Sequence, residues 1–115
     1  MVKLESLKKS NQFRKALKEK KVHTDFFSIF ATKNFFDAKH KANLLISFVM
    51  KKKIGNAVKR NKIRRKLKAI VQKLLKKRGA ISKDYTYIVF GKTKAYLQKQ
   101  SVLMPLMEKS FKTIK

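Results

Sequence analysis

Cysteine and tryptophan are absent from the 115 residues, and only six residues are acidic. Without cysteine there is no disulfide scaffold and no thiolate zinc site. Three glycines and one proline punctuate the chain, and no linker, repeat or low-complexity tract divides it. No apolar run reaches the roughly 18 residues that a membrane span needs. Met1 to Lys9 alternates lysine with leucine and valine and lacks the apolar stretch of a secretory signal. These gaps lead us to expect a soluble, cytoplasmic protein with no membrane partner.

Positive charge is what the chain has in excess. Lysine and arginine number 32, for a formal charge of +26. A small compact domain with that charge repels itself at low salt, so its composition anticipates a polyanionic partner. At 13.5 kDa the chain makes one domain, residues 1–115, with one modest core. Disorder is the weaker reading, because 43% of residues are apolar and 10% aromatic.

The charge is unevenly spread. No acid lies between Asp37 and Asp84, while Lys39 to Lys83 holds seventeen basic residues. A surface helix ordinarily alternates signs to gain i,i+4 pairs, and this stretch forgoes them. Three of the five arginines, Arg60, Arg64 and Arg65, fall within six positions. Arginine offers a planar fork that grips phosphate bidentately, where lysine offers a solvated point charge.

Local patterns predict the element order αββαβα. Ser10 caps a first helix from Asn11 to about Lys20, with Phe13, Ala16 and Leu17 on one side. Val22 to Ala31 reads as a strand with Phe26, Ser28 and Phe30 on one face and Phe27 and Ile29 on the other. After a polar turn from Lys33 to Lys41, Ala42 to Lys51 has the continuous apolar character of a central strand. Gly55 breaks the pattern and Asn56 caps a long helix from Ala57 to about Lys77, stopped near Gly79. Tyr85 to Gly91 is a third strand. A last helix spans Lys94 to about Lys112, with Pro105 in its first turn or at a kink. The expected class is α+β, a single-domain two-layer α/β sandwich.

The central helix carries the functional argument. Ile63, Leu67, Ile70, Val71 and Leu74 fall on one side at 100° per residue and should pack on the sheet. Asn61, Arg65, Lys68 and Gln72 fall opposite, flanked by Arg60 and Arg64. An amphipathic cationic helix suits either an anionic membrane or phosphates. The flanking strands favour phosphates, since they already claim the apolar face.

The string Lys52-Lys53-Ile54-Gly55-Asn56-Ala57-Val58-Lys59-Arg60-Asn61-Lys62-Ile63-Arg64-Arg65-Lys66-Leu67 closely resembles the signature of the bacterial ribonuclease P protein component family, K-K-x-G-N-A-V-x-R-N-R-x-K-R. Leu7-Lys8-Lys9-Ser10-x-x-Phe13 is similar to that family's N-terminal L-K-x-x-x-x-F, and Lys83-Asp84-Tyr85 to its approach to the third strand. The likeness runs in order along nearly the whole chain.

That resemblance implies a subunit of a ribonucleoprotein that removes the 5′ leader of precursor tRNA by magnesium-dependent hydrolysis. It implies that a catalytic RNA and its Mg2+ ions perform the chemistry, with no further protein partner required. It also implies a left-handed βαβ crossover. Transferred residue by residue, the grip on the catalytic RNA falls on Lys52, Lys53, Arg60, Asn61, Arg64, Arg65 and, by charge, Lys68. The precursor-tRNA leader falls in a cleft at Phe13, Leu17 and Phe30. Single-stranded RNA does bind where aromatic faces meet a cationic groove. Departures are lysine at positions 62 and 68, often arginine in the family, and leucine at the aromatic position 17. At the end of the third strand, where the family often has arginine, the chain reads Phe90-Gly91-Lys92.

No catalytic set is expected in the polypeptide itself. The acids are scattered, and His23 and His40 are single and read as surface residues, so neither a two-metal site nor a histidine pair is available. A basic ribosomal protein or an architectural DNA binder would share the composition. Stimulation of precursor-tRNA cleavage, and preference for structured RNA over duplex DNA at matched salt, separate these readings.

Overall fold

A computed structural model describes residues 3–5, 20–33, 43–77, 80–81 and 85–114. Five strands, β1 (Lys3–Glu5), β2 (Lys20–His23), β3 (Phe27–Lys33), β4 (Asn43–Val49) and β5 (Tyr85–Gly91), form one sheet in the order β1-β4-β5-β3-β2. Two helices complete this part of the chain, α1 (Ala57–Leu74) and α2 (Gln100–Ile114). β4 and β5 are parallel, with Ile46 opposite Tyr87 and Val49 opposite Phe90. A parallel pair needs a crossover, and α1 supplies it. The pairs β2–β3 and β3–β5 are antiparallel.

Strand alternation sorts the apolar residues into two layers. Phe27, Ile29, Ala31, Ile46, Tyr87 and Val89 join the inner residues of both helices in one buried cluster. On the other face, Ile88 gathers Phe30, Val49 and Phe90 into a small second cluster. The apolar stripe of α1 is as the spacing predicts, for Ile63, Leu67, Ile70, Val71 and Leu74 are all buried. α2 is fixed by Tyr87 against Phe111, edge to face at 5.0 Å. Its C-terminal end meets Lys20 of β2, whose ammonium donates to Ile114 O (2.8 Å) and to the Tyr85 hydroxyl (3.1 Å). A cation there satisfies a terminal carbonyl and suits the negative end of the helix.

Several expectations need correction. The strand read over Val22 to Ala31 is two strands, because Thr24 folds the chain back. Its hydroxyl accepts from the backbone N–H groups of Phe26 (3.2 Å) and Phe27 (3.1 Å) and donates to Phe27 O (2.9 Å). Phe26 therefore packs against the main cluster with Phe27 and does not share a face with Phe30. β1, which the sequence reading did not identify as a strand, pairs parallel to β4. α1 ends at Leu74, with turn bonds from Lys76 N to Lys73 O and Lys77 N to Leu74 O. The last helix starts at Gln100, after a separate 3-10 turn over Thr93–Tyr96. Pro105 then falls in the second turn of α2, not the first. It is exposed, so the intrahelical bond that it cannot donate is lost where water can replace it. The first predicted helix with Phe13 and Leu17, the Gly79 stop and His40 lie outside the described residues.

Candidate nucleic-acid interface

The segment from Lys51 to α1 is shaped by one glycine and one cap. Gly55 has φ +151°, a region that side-chain-bearing residues rarely adopt, and a Cβ there would lie 2.9 Å from Lys59 Cδ. Asn56 then opens the helix, its side-chain oxygen accepting from Lys59 N at 2.9 Å. Before the glycine, Lys52–Ile54 form a 3-10 turn in which Ile54 is buried and Lys52 and Lys53 are exposed. The buried isoleucine anchors the turn, and the two lysines project from it.

Along α1 the basic residues divide into two flanks. One flank faces α2 and the 3-10 turn before it, and consists of lysines with protein partners. Lys66 donates to the carbonyls of Ala95 (3.0 Å), Tyr96 (2.8 Å) and Gln98 (2.6 Å). Lys73 reaches Gln100 at 3.1 Å and Lys77 pairs with Glu108 at 3.4 Å. The outer and opposite faces hold the arginines. Arg65 and Lys68 are exposed and make no hydrogen bond or ion pair among the described residues. Asn61 Oδ1 accepts from Arg64 Nη1 at 2.9 Å, a bond that orients the guanidinium without neutralising it. Arg60 is half-buried, and its Nε is sealed from solvent without an acceptor among the described residues.

Lys52, Lys53, Asn61, Arg64, Arg65 and Lys68 of the expected set are thus exposed on α1 and the turn before it, without a carboxylate partner among the described residues, whereas Arg60 is half-buried at the edge of that surface. Lys77–Glu108 is the one ion pair among the described residues. The first turn of α1 contains no acid, so the positive end of the helix dipole adds to the cationic field. That field attracts anions, and the exposed forks of Arg64 and Arg65 match phosphate oxygens.

Phe30 lies on the other face of the sheet, half-buried. Its ring is edge-on to His23 (5.6 Å) and to Phe90 (5.3 Å), and the Lys51 ammonium lies 5.7 Å from the Phe90 ring centroid. These residues border a cleft of about 640 Å³ that Lys53 and Lys92 also line. Lys53 joins the two surfaces, since it belongs to the basic turn and to the cleft wall. Lys92 holds the opposite rim: its ammonium donates to Thr24 O and its backbone N–H to Phe26 O (3.0 Å). The exposed His23 bonds through Nδ1 to Ser28 Oγ at 2.7 Å.

Sequence reasoning missed His23, Lys51 and Phe90 as cleft residues. Phe90 could have been found, because it shares the period-2 face of Ile88 on β5. His23 and Lys51 reach the cleft only through the β2–β3 turn and the Gly55 break, and no local pattern shows that.

An α+β sandwich that turns one cationic helix outward, beside an aromatic cleft, defines a small basic protein built for a polyanionic ligand. The chain belongs to the Ribonuclease P family, which it matches over residues 1–115, and is therefore a subunit of that endoribonuclease. It is 30% identical over 110 residues to the ribonuclease P protein component of Mycoplasma capricolum, covering 95% of this chain and 94% of that one. Among solved structures it resembles the RNase P protein of Staphylococcus aureus, with TM-score 0.72, 25% identity and coverage of 96% and 94%. The fold also matches the RNase P protein of Thermotoga maritima, with TM-score 0.75, 23% identity and coverage of 96% and 98%.

Proposed function

We propose that this protein binds the catalytic RNA of ribonuclease P through Lys52, Lys53, Arg60, Asn61, Arg64, Arg65 and Lys68. It holds the 5′ leader of precursor tRNA in the cleft at Phe30, and so assists RNA-catalysed removal of the leader. The observation that carries this reading is the exposed side of α1 that carries Arg64, Arg65 and Lys68 with no carboxylate partner among the described residues. Folded RNA supplies the phosphates that such a side needs, and its neutralisation relieves the self-repulsion of the chain. The cleft suits a single strand, because bases stack on rings such as Phe30 and Phe90 while the exposed Lys51 and Lys53 follow the backbone.

Phe13 and Leu17, the other leader positions that the family resemblance implies, lie outside the described residues. No group of three or more His, Cys, Asp or Glu side chains is assembled among the described residues. The ions are assigned to the RNA, and the residues here bind and position. No helix among the described residues is long and apolar enough to cross a membrane.

Two single substitutions test the two surfaces separately. Arg65→Ala is expected to weaken assembly with ribonuclease P RNA by roughly 1–3 kcal/mol, the range of one charge-assisted contact. Unchanged assembly would remove that face from the interface. Phe30→Ala should lower affinity for leader-bearing precursor by about 1–3 kcal/mol, the worth of one stacked base, and leave mature tRNA binding unchanged. Equal loss for both substrates would make Phe30 a purely structural residue. Circular dichroism of each variant checks the fold.

A further inference from the structure

The lysine flank of α1 has a feature that packing against α2 does not explain. Lys59 and Lys62 hold their ammonium groups 5.0 and 5.7 Å from the centroid of one ring, that of Tyr96. Neither has a carboxylate partner, since the one ion pair among the described residues is at the far end of the helix. Two like charges brought over one ring repel each other, and cation–π attraction at an exposed site offsets only about 0.5–1 kcal/mol each.

The ring is held firmly in place. All three protons of the Lys66 ammonium go to the carbonyls around it, those of Ala95, Tyr96 and Gln98. Burial first, and then the neighbouring Lys62 charge, keep the Lys66 pKa below its ordinary value. A cation is thus committed at some cost to fixing this short loop. Tyr96 and Lys59 are half-buried and Lys62 is exposed. The next residue, Leu97, is 86% exposed. The product is an aromatic ring on a braced loop, with two ammonium groups beside it that have no carboxylate partner among the described residues.

We propose that Lys59, Lys62 and Tyr96 form a phosphate subsite for the RNA backbone, distinct from the arginine side of α1. Resting on the functional reading above, this makes the stretch of α1 from Lys59 to Lys68 a wedge contacted from both flanks, with Arg64 and Lys68 meeting one backbone segment and Lys59 and Lys62 another. Tyr96 aligns the two ammonium groups in advance, so less side-chain freedom is lost when the phosphate arrives.

The test titrates ribonuclease P RNA, transcribed from the same genome, with wild-type protein and variants at several salt concentrations. Lys59→Ala with Lys62→Ala should weaken binding on the order of tenfold. It should also flatten the dependence of log K on log salt by about 1–2 units, the release expected for one or two phosphates. Lys59→Arg with Lys62→Arg should retain the wild-type slope. Tyr96→Phe should bind as wild type, whereas Tyr96→Leu should lose affinity several-fold. Should the alanine pair melt below the assay temperature, the glutamine pair gives the same readout.

A wild-type slope for the alanine or glutamine pair, beside a flattened slope for an Arg64→Ala, Arg65→Ala variant, would overturn the subsite and leave the functional reading standing. A wild-type protein without affinity for that RNA would overturn both. Unchanged binding by Tyr96→Leu would remove the ring from the subsite.

Discussion

Replacing Arg60, Arg64 and Arg65 together by alanine is expected to leave the fold intact and to remove about 3–6 kcal/mol of affinity for ribonuclease P RNA, up to three charge-assisted contacts discounted for exposure. The salt slope should fall by about 2–3 units, close to one per lost phosphate contact. The fold survives for physical reasons. Alanine is the best helix former, and none of the three side chains belongs to the buried stripe of α1. Removing positive charges also lessens the self-repulsion of a chain that carries +26. Arg60 is the partial exception, because its half-buried stem contributes some packing. A melting temperature at or above the wild-type value, together with lost RNA binding, is the expected pair of observations. Lost binding that follows from lost helix content would make the arginines structural.

The second large effect concerns the strand beneath the helix. Gly91→Val should destabilise the fold by at least about 3 kcal/mol, the upper end of overpacking costs. Gly91 is buried at the end of β5, where α1 crosses closely. A Cβ there would collide with Met50 Sδ and lie 2.8 Å from Ile63 Cγ2 and 2.9 Å from Met50 Cε. Methionine can yield, being unbranched and flexible. Ile63 cannot, because it is fully buried in the helix face that seals the sheet. The variant must push α1 off β5 or distort the strand. In a domain of this size the melting temperature should drop by roughly 10 °C or more. A melting temperature within a degree or two of wild type would mean that α1 does not approach the strand as described.

Gly91 provides the close approach, and the following residue, Lys92, supplies a cation that ties the β2–β3 turn to the cleft.

The parts of the fold that were legible in the sequence are those set by local periodicity and by single residues with fixed conformational roles. The stripe from Ile63 to Leu74, the Gly55 break and the Asn56 cap are local, and the structure bears them out. The exposed positions of Asn61, Arg65 and Lys68 follow from the same 100° spacing. The break between Val22 and Ala31 was not legible, because the turn is made by the hydroxyl of Thr24 and carries neither glycine nor proline. Period-2 alternation runs through it and puts Phe26 on the face of Phe30, whereas the turn sends it to the main cluster. The division of α1 into a lysine flank and an arginine flank was also hidden. Lys66, Lys73 and Lys77 take their roles from Tyr96, Gln100 and Glu108, roughly 30 residues away, and sequence spacing alone cannot tell such lysines from those left for a ligand.

Reconstitution is the most direct test. Wild-type protein is added to ribonuclease P RNA from the same genome at a magnesium concentration too low for the RNA alone, and cleavage of a precursor tRNA is followed. We predict restored release of the leader by the wild type, and none by the folded Arg60, Arg64, Arg65→Ala variant. Equal rates with and without the wild-type protein, or full activity of that variant, would contradict the assignment of the outward side of α1 to RNA.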